Sequence, residues 1–318
     1  MAAGEFDLID RIRARIIARH DVVLGIGDDA ALLQPPAGMQ LVVGMDTLNA
    51  GIHFPHDTAP ADIGWKALAV NLSDLAAMGA TPAWCTLSLS LPEPDAAWVG
   101  AFLDGFDALA RQHAVALVGG DTTRGPLSVC VTMFGFVSPG RALRRDAARV
   151  GDDIWVSGTP GDAAAALAQW SAGGARDPVL RARLDRPTPR VTLGLRLSEV
   201  AHAAIDISDG LLADLAHVCR ASNVRAEVDV DALPVSDALR AVVSDVETRR
   251  ALQASGGDDY ELCFAAPAAQ RDAIFAAALD ARVPVTRIGR IVEGQGVVAT
   301  ANGAPWMPVR TGWDHFAG

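Results

Sequence analysis

Apolar side chains recur at Phe6, Ile9, Ile12, Ile16 and Ile17, the spacing of one helix face, which predicts an amphipathic opening helix over residues 5–17 with its arginines on the wet side. A strand-like run, Val22-Val23-Leu24, then enters Gly25-Ile26-Gly27-Asp28-Asp29 and leaves through Ala30-Ala31-Leu32-Leu33. Two glycines allow a sharp turn or a close backbone approach; taken alone, the segment reads as a hairpin turn with two solvated acids. The arrangement recurs, however. Leu41-Val42-Val43-Gly44-Met45 is a buried strand delivering Asp46-Thr47 from its end, and 115–118 is another, delivering Gly119-Gly120-Asp121-Thr122-Thr123. Between them residues 61–78 form a helix closed by Gly79. Inside it Asn71 and Asp74 interrupt an apolar sequence and, three residues apart, share a face. They are either a solvated stripe or a buried carboxylate that requires a partner or a metal. The turn Gly51-Ile52-His53-Phe54 sets a histidine beside a large apolar residue.

Strand-like 81–91, a helix over 95–113 and a strand over 127–137 complete a first α/β domain, and Pro139-Gly140 forms a hinge. Beyond it Arg141, Arg144 and Arg145 are either a solvated cluster or a face for phosphates. Ile154-Trp155-Val156 leads into Ser157-Gly158-Thr159-Pro160-Gly161-Asp162 ahead of an alanine-rich helix; such a turn binds an anion or is simply a capped turn. Residues 171–189, rich in Arg, Gly and Pro, read as a surface connection. Ala204-Ile205 enters Asp206-Ile207-Ser208-Asp209-Gly210 before a helix over 211–221, so two more acids can converge. Gly256-Gly257-Asp258-Asp259 is a second Gly-Asp-Asp turn before a strand, followed by the only tyrosine, Tyr260. The tail carries Trp313 and Phe316, an aromatic pair that reads as docked.

At 318 residues the chain has the length of two domains, divided as 1–140 and 141–318. No apolar run approaches a membrane span, the N-terminus lacks the pattern of a signal peptide, and four scattered cysteines form no CxxC pair; the expected location is the cytoplasm. A net charge of −11 excludes a nucleic-acid surface, which needs a basic face, and disfavours anionic ligands unless metal ions reverse the local sign. Lys66 is the only lysine, so a GxxxxGK[ST] phosphate loop cannot exist.

Carboxylates gathered without arginines repel one another and shift upward in pKa. Hard oxygen donors presented with phosphates are resolved by Mg²⁺, so the repeated turns read as a metal–polyphosphate site. No nucleophile–base pair is evident, and phosphoryl transfer hardly needs one, being mostly positioning and electrostatic stabilisation.

Together Gly25-Ile-Gly-Asp-Asp29, Met45-Asp-Thr-Leu48, Gly51-Ile-His-Phe54, Asn71-Leu-Ser-Asp-Leu-Ala-Ala-Met-Gly79, Gly119-Gly-Asp-Thr-Thr-Arg-Gly125, Asp206-Ile-Ser-Asp-Gly-Leu211, Gly256-Gly-Asp-Asp-Tyr-Glu-Leu262 and Trp313-Asp-His-Phe316 resemble the thiamine-monophosphate kinase family. The resemblance implies an α/β fold with mixed sheets: the two-domain architecture of aminoimidazole-ribonucleotide synthetase, in a homodimer whose N-terminal sheets close into a barrel. The N-terminal domain would then hold the metal and ATP site and the dimer interface, and the C-terminal domain would complete the ATP and substrate site. It implies phosphorylation of thiamine monophosphate to thiamine diphosphate by direct, multi-Mg²⁺ in-line transfer from ATP. By position, the metal ligands resemble Asp29 (rather than Asp28), Asp46, Asp74, Asp121, Asp206 and Asp209, with Asp121 and Asp209 catalytic. Gly120, Asp121, Arg145 and Ser208 match ATP contacts, and His53, Asp258 and Trp313 match substrate contacts. The family's Ser-Thr ahead of the strand-end Asp is here Gly44-Met45, which removes a side-chain ligand. Two alternatives stand beside the kinase: an aminoimidazole-ribonucleotide-synthetase-like ligase with a different acceptor, against which His53, Asp258 and Trp313 argue, and a nucleotide-binding assembly factor without turnover.

Overall fold

The computed structural model describes residues 5–174, 176–309, 312 and 313. It divides into two compact units, one of Met1–Leu75 with Ala80–Gly140 and one of Ala76–Gly79 with Arg141–Gly318. No helix among the described residues is long and apolar enough to cross a membrane.

In the first unit the opening helix α1 (Glu5–Arg13) ends earlier than its apolar spacing predicts; Ile16 and Ile17 follow outside it, where Arg15 swings to the carboxylates Asp104 and Asp107. Strands β1 (Val22–Leu24) and β2 (Leu32–Leu33) pair as an antiparallel hairpin around the Gly-Asp-Asp turn. Then come β3 (Gln40–Asn49), α2 (Pro60–Ala77), β4 (Thr81–Leu91), α3 (Ala96–Gln112), β5 (Ala116–Arg124) and β6 (Ser128–Val137). The sheet order is β3-β6-β4-β5, with β4–β5 parallel and the other pairs antiparallel.

Asp46 and Asp121 were expected at strand ends and lie inside strands instead. Asp46 pairs with Val131 and Asp121 with Ser88, because each ladder keeps its hydrogen bonds beyond the carboxylate. Helix α3 is N-capped by Asp95, which accepts from the N–H groups of Ala97 and Trp98. Helices α2 and α3 touch backbone to backbone: a Cβ at Gly64 would lie 2.0 Å from the Phe102 carbonyl, and one at Gly105 1.7 Å from that of Ala61. Only glycine permits this approach. The hairpin's Val22 and Leu33 pack against a core of Ala83, Trp84, Ala116, Val118 and Phe136.

The second unit contains β7 (Asp152–Ser157), α4 (Asp162–Ser171), α5 (Pro178–Asp185), α6 (Val191–Leu197), β8 (Ala203–Asp206), α7 (Leu211–Ser222), β9 (Arg225–Asp229), α8 (Asp237–Val242), α9 (Val246–Ser255), β10 (Leu262–Pro267), α10 (Arg271–Ala281), β11 (Val285–Val292), β12 (Gly296–Ala301) and β13 (Ala304–Trp306). Its seven-stranded sheet runs β13-β12-β9-β11-β7-β10-β8. Only the β9–β12 pair is parallel, so both sheets are mixed, as expected. Helix α7 buries Leu211, Leu215 and Val218 against Ile154, Val156, Ile205, Val228 and Ile288 from the strands.

The surface connection expected over 171–189 is corrected in part, since it contains α5. Asp177 caps that helix, Pro178 opens it, and Leu180 and Leu184 bury one turn apart; this is a helix signature hidden among arginines.

Candidate functional site

In the first unit the turn after β1 is exposed, and Asp28 Oδ1 accepts the Asp29 N–H at 2.9 Å, so Asp28 shapes the loop that presents Asp29. Packing of β3 on α2 sets Asp46 beside Asn71 and Gly44 beside Asp74. The Asp46 N–H donates to Asn71 Oδ1 at 3.1 Å, Asn71 Nδ2 donates to the Ala67 carbonyl at 3.0 Å, and a Cβ on Gly44 would lie 3.5 Å from Asp74 Oδ2. Glycine at 44 therefore leaves room beside the Asp74 carboxylate that a serine would fill. Asn71 is buried, and its amide faces the strand rather than water.

Asp121 sits on β5, the opposite edge strand, three strand spacings or roughly 14 Å from β3; within one chain it does not converge with Asp46. Gly120 ahead of it has φ +155°, and its Cβ would fall 1.9 Å from the Leu87 carbonyl. Gly119, Gly120 and Asp121 line a cavity of about 90 Å³ whose apolar wall includes Ile9, Ile12 and Ile26.

His53 is held on two sides. Its Nδ1 accepts the Asn49 N–H at 3.0 Å, which assigns the ring proton to Nε2, and its carbonyl accepts from Lys66 Nζ at 2.8 Å. Sequence reasoning passed over Lys66, although a lone lysine inside an apolar helix was a signal. Its side chain is 1% exposed, which is rare for an ammonium group without a structural duty.

In the second unit three separated motifs meet. Asp206 ends β8 opposite Leu262 of β10, and the loop beyond it is laced to the second Gly-Asp-Asp turn. The Asp258 N–H donates to the Ser208 carbonyl at 2.9 Å, that of Tyr260 to Ile207 at 2.8 Å, and that of Ile207 to Glu261 at 2.8 Å. The tail joins them through the Trp313 N–H, 2.9 Å from the Asp209 carbonyl, while the indole is 52% exposed. Phe316, the expected partner of Trp313, lies outside the described residues. Close approach explains the glycines: Cβ atoms at Gly257 and Gly312 would lie 2.4 Å from the Ser208 carbonyl oxygen and 2.9 Å from that of Asp209. Asp258 and Tyr260 adopt left-handed backbone, φ 65° and 51°, at roughly 1–3 kcal/mol each.

Asp214, also unforeseen, gathers the Asp206–Gly210 loop. Its Oδ2 accepts from the N–H groups of Ser208, Asp209 and Gly210 at 3.0, 3.1 and 3.1 Å. Burial first, and then the charges of Asp206 and Asp209, push its pKa up to about 7.

The Gly-rich turn 157–162 takes no outside anion at the Gly161 N–H, since that group donates to Asp259 Oδ1 at 2.8 Å. Burial holds the Asp259 carboxyl well above the usual range. A Cβ on Gly158 would fall 2.0 Å from Glu261 Oε1. Among the arginines, Arg144 is tied to Asp146, while Arg145 is exposed on a short 3₁₀ turn whose carbonyl accepts from Ser222.

Asp29, Asp46, Asp74 and Asp121 thus belong to the first unit, and Asp206 and Asp209 to the second. Every donor is hard oxygen, the chemistry Mg²⁺ takes. Among the described residues no three His, Cys, Asp or Glu side chains stand as a finished metal cage.

Residues 27–137 match the family described as AIR synthase related protein, N-terminal domain, and 149–302 its C-terminal domain. A thiamine-monophosphate kinase of Salmonella typhimurium is 49% identical over 337 residues, covering 100% of this chain and 99% of its own. The crystal structure of thiamine-monophosphate kinase from Stenotrophomonas maltophilia is 61% identical, with a TM-score of 0.88 over 96% of this chain and 99% of that one. The structure of AaThiL complexed with AMPPCP and TMP is 33% identical, with a TM-score of 0.79 over 98% and 97%. Identity at that level along nearly the whole length, with both domains matched in order, places the chain in the thiamine-monophosphate kinase family of AIR synthase related proteins.

Proposed function

We propose that this protein transfers the γ-phosphoryl group of ATP to the phosphate of thiamine monophosphate, giving ADP and thiamine diphosphate. The observation that carries the reading is the convergence, in one folded unit, of the Asp206–Gly210 loop, Asp258 and the Trp313 backbone, in a chain 49% identical over its full length to a kinase of that name.

The hard-oxygen donors fit Mg²⁺, and Asp29, Asp46, Asp74, Asp121, Asp206 and Asp209 would hold the ions. Bound Mg²⁺ supplies charge neutralisation between the two phosphates. Gly120, Asp121, Arg145 and Ser208 take ATP; the exposed guanidinium of Arg145 suits a phosphate. His53, with its proton on Nε2, offers a neutral N–H donor to the acceptor phosphate. Asp258 and the half-exposed indole of Trp313 receive the cationic aromatic part, a ligand for which a π face is well suited. A phosphate monoester with a second pKa near about 6 is already ionised at neutral pH, so the chain needs no general base, and positioning for direct in-line attack is its main task.

The protein acts as a cytoplasmic homodimer. Leu41, Val43 and Met45 alternate along the edge strand β3 and are 49%, 55% and 62% exposed, an apolar stripe on an open edge that a second copy would cover; closing two such sheets gives the barrel.

The test is ADP release with Mg²⁺ against thiamine monophosphate, thiamine and a purine-pathway ribonucleotide. Turnover of the monophosphate alone is expected, reduced by about two orders of magnitude or more in Asp121→Asn and Asp209→Asn. Turnover of the ribonucleotide alone identifies the ligase instead, and ATP binding without any turnover identifies the assembly factor.

A further inference from the structure

The hydroxyl of Tyr260 donates to Asp258 Oδ1 at 3.1 Å. Tyr260 is the only tyrosine in the chain and is 7% exposed. The main chain on which both residues sit is clamped, with the Asp258 and Tyr260 N–H groups bound to Ser208 and Ile207 and both residues held in left-handed backbone. The interleaved neighbours are anchored inward: Asp259 accepts from Gly161, and Glu261 accepts from Ser157, Arg183 and Arg190. With the backbone and both neighbours fixed, the phenol bond bears directly on the orientation of the Asp258 carboxylate. Ring burial alone does not explain the hydroxyl, since phenylalanine would fill the same volume.

We propose that Tyr260 is a positioning residue: it orients the Asp258 carboxylate for thiamine monophosphate and touches neither ATP nor the transferred group. The proposal rests on the kinase reading and refines it, making the affinity for one substrate depend on a hydroxyl next to the contact residue.

Tyr260→Phe removes the bond and leaves the ring. Steady-state kinetics are compared for the wild type, Tyr260→Phe, Asp258→Asn and the double variant, varying each substrate with the other saturating. Tyr260→Phe is expected to raise the KM for thiamine monophosphate about five- to tenfold, the net scale of one intramolecular hydrogen bond, with kcat and the KM for ATP within about twofold of wild type. In the Asp258→Asn background the same change should add little, since coupled residues are non-additive. Equal effects on both substrates, effects that multiply in the double variant, or no change in KM would overturn the proposal.

A second measurement uses the uniqueness of the residue: tyrosine labelled with ¹³C at Cζ alone gives one NMR resonance, which thiamine monophosphate should shift, and a resonance unmoved at saturating thiamine monophosphate would overturn the proposal. A wild type that does not turn over thiamine monophosphate defeats the kinase reading itself; an active wild type with either contrary pattern defeats the role of Tyr260 alone.

Discussion

Replacing Glu261 with glutamine should destabilise the second unit by about 3 kcal/mol. The Glu261 side chain is 0% exposed and accepts four hydrogen bonds: from Arg190 Nε and Arg183 at 2.6 Å each, from the second Arg190 nitrogen at 2.5 Å, and from Ser157 Oγ at 2.5 Å. Burial pushes the carboxyl pKa up, yet Arg190 and Arg183 more than offset it and hold it below the ordinary range. Glutamine keeps one acceptor oxygen but turns an NH₂ group toward a guanidinium, and the two arginines lose their fully buried counter-charge.

Removing one partner of a buried pair costs about 3–5 kcal/mol; the lower end applies because Asp162 stays 4.0 Å from Arg183. For a unit of this size that corresponds to a fall of about 6–12 °C in melting temperature. Because the folded pKa is depressed, the stabilisation is present above the ordinary value of 4.5 and is lost as pH falls through the folded value. The gap between wild type and variant, followed by thermal and denaturant unfolding, should therefore be constant from about pH 6 to 8 and narrow below about pH 4.5. A variant within about 0.5 kcal/mol of wild type at neutral pH, or a gap that persists unchanged in acid, would refute the buried-charge reasoning.

Three further outcomes are expected. Gly105→Ala should cost the first unit about 3 kcal/mol or more by overpacking α3 on α2, whereas Gly100→Ala on the same helix, with nothing within 4 Å of the new Cβ, should stabilise it by about 0.5–1 kcal/mol; similar melting curves for the two would contradict the close helix contact. Trp313→Ala should raise the KM for thiamine monophosphate while sparing kcat and the melting temperature, because the indole is half exposed and binds a part that does not react; a pure loss of kcat would contradict that role. Val43→Glu should halve the mass measured by light scattering if the β3 stripe is the dimer interface, with far-UV circular dichroism unchanged; a variant that stays dimeric places the interface elsewhere.

Local pattern sufficed for much of the architecture. The apolar stretch 61–78, closed by Gly79, and the stretch 95–113 anticipated α2 and α3 closely, since helix length and stop signals are local. Gly-Asp turns marked two of the three segments that meet in the second unit, Asp206–Gly210 and Gly256–Asp259, since glycines and carboxylates set between apolar runs are visible one residue at a time. Strand lengths were less legible: Asp46 and Asp121 looked like strand ends, yet the ladders run on past them because pairing with Val131 and Ser88 is set by the partner strand. Helix α5 was hidden by its arginines, two of which bind carboxylates.

Side-chain pairings that no pattern announces account for the remainder, even where the partners are close in sequence. Nothing in the sequence around Asp214 says that its carboxylate will gather three N–H groups, nor that Lys66 will reach the His53 carbonyl, nor that Tyr260 will hold Asp258. Periodicity and turn chemistry are properties of neighbours along the chain, whereas the partner of a buried polar group is whichever atom the fold brings within about 3 Å.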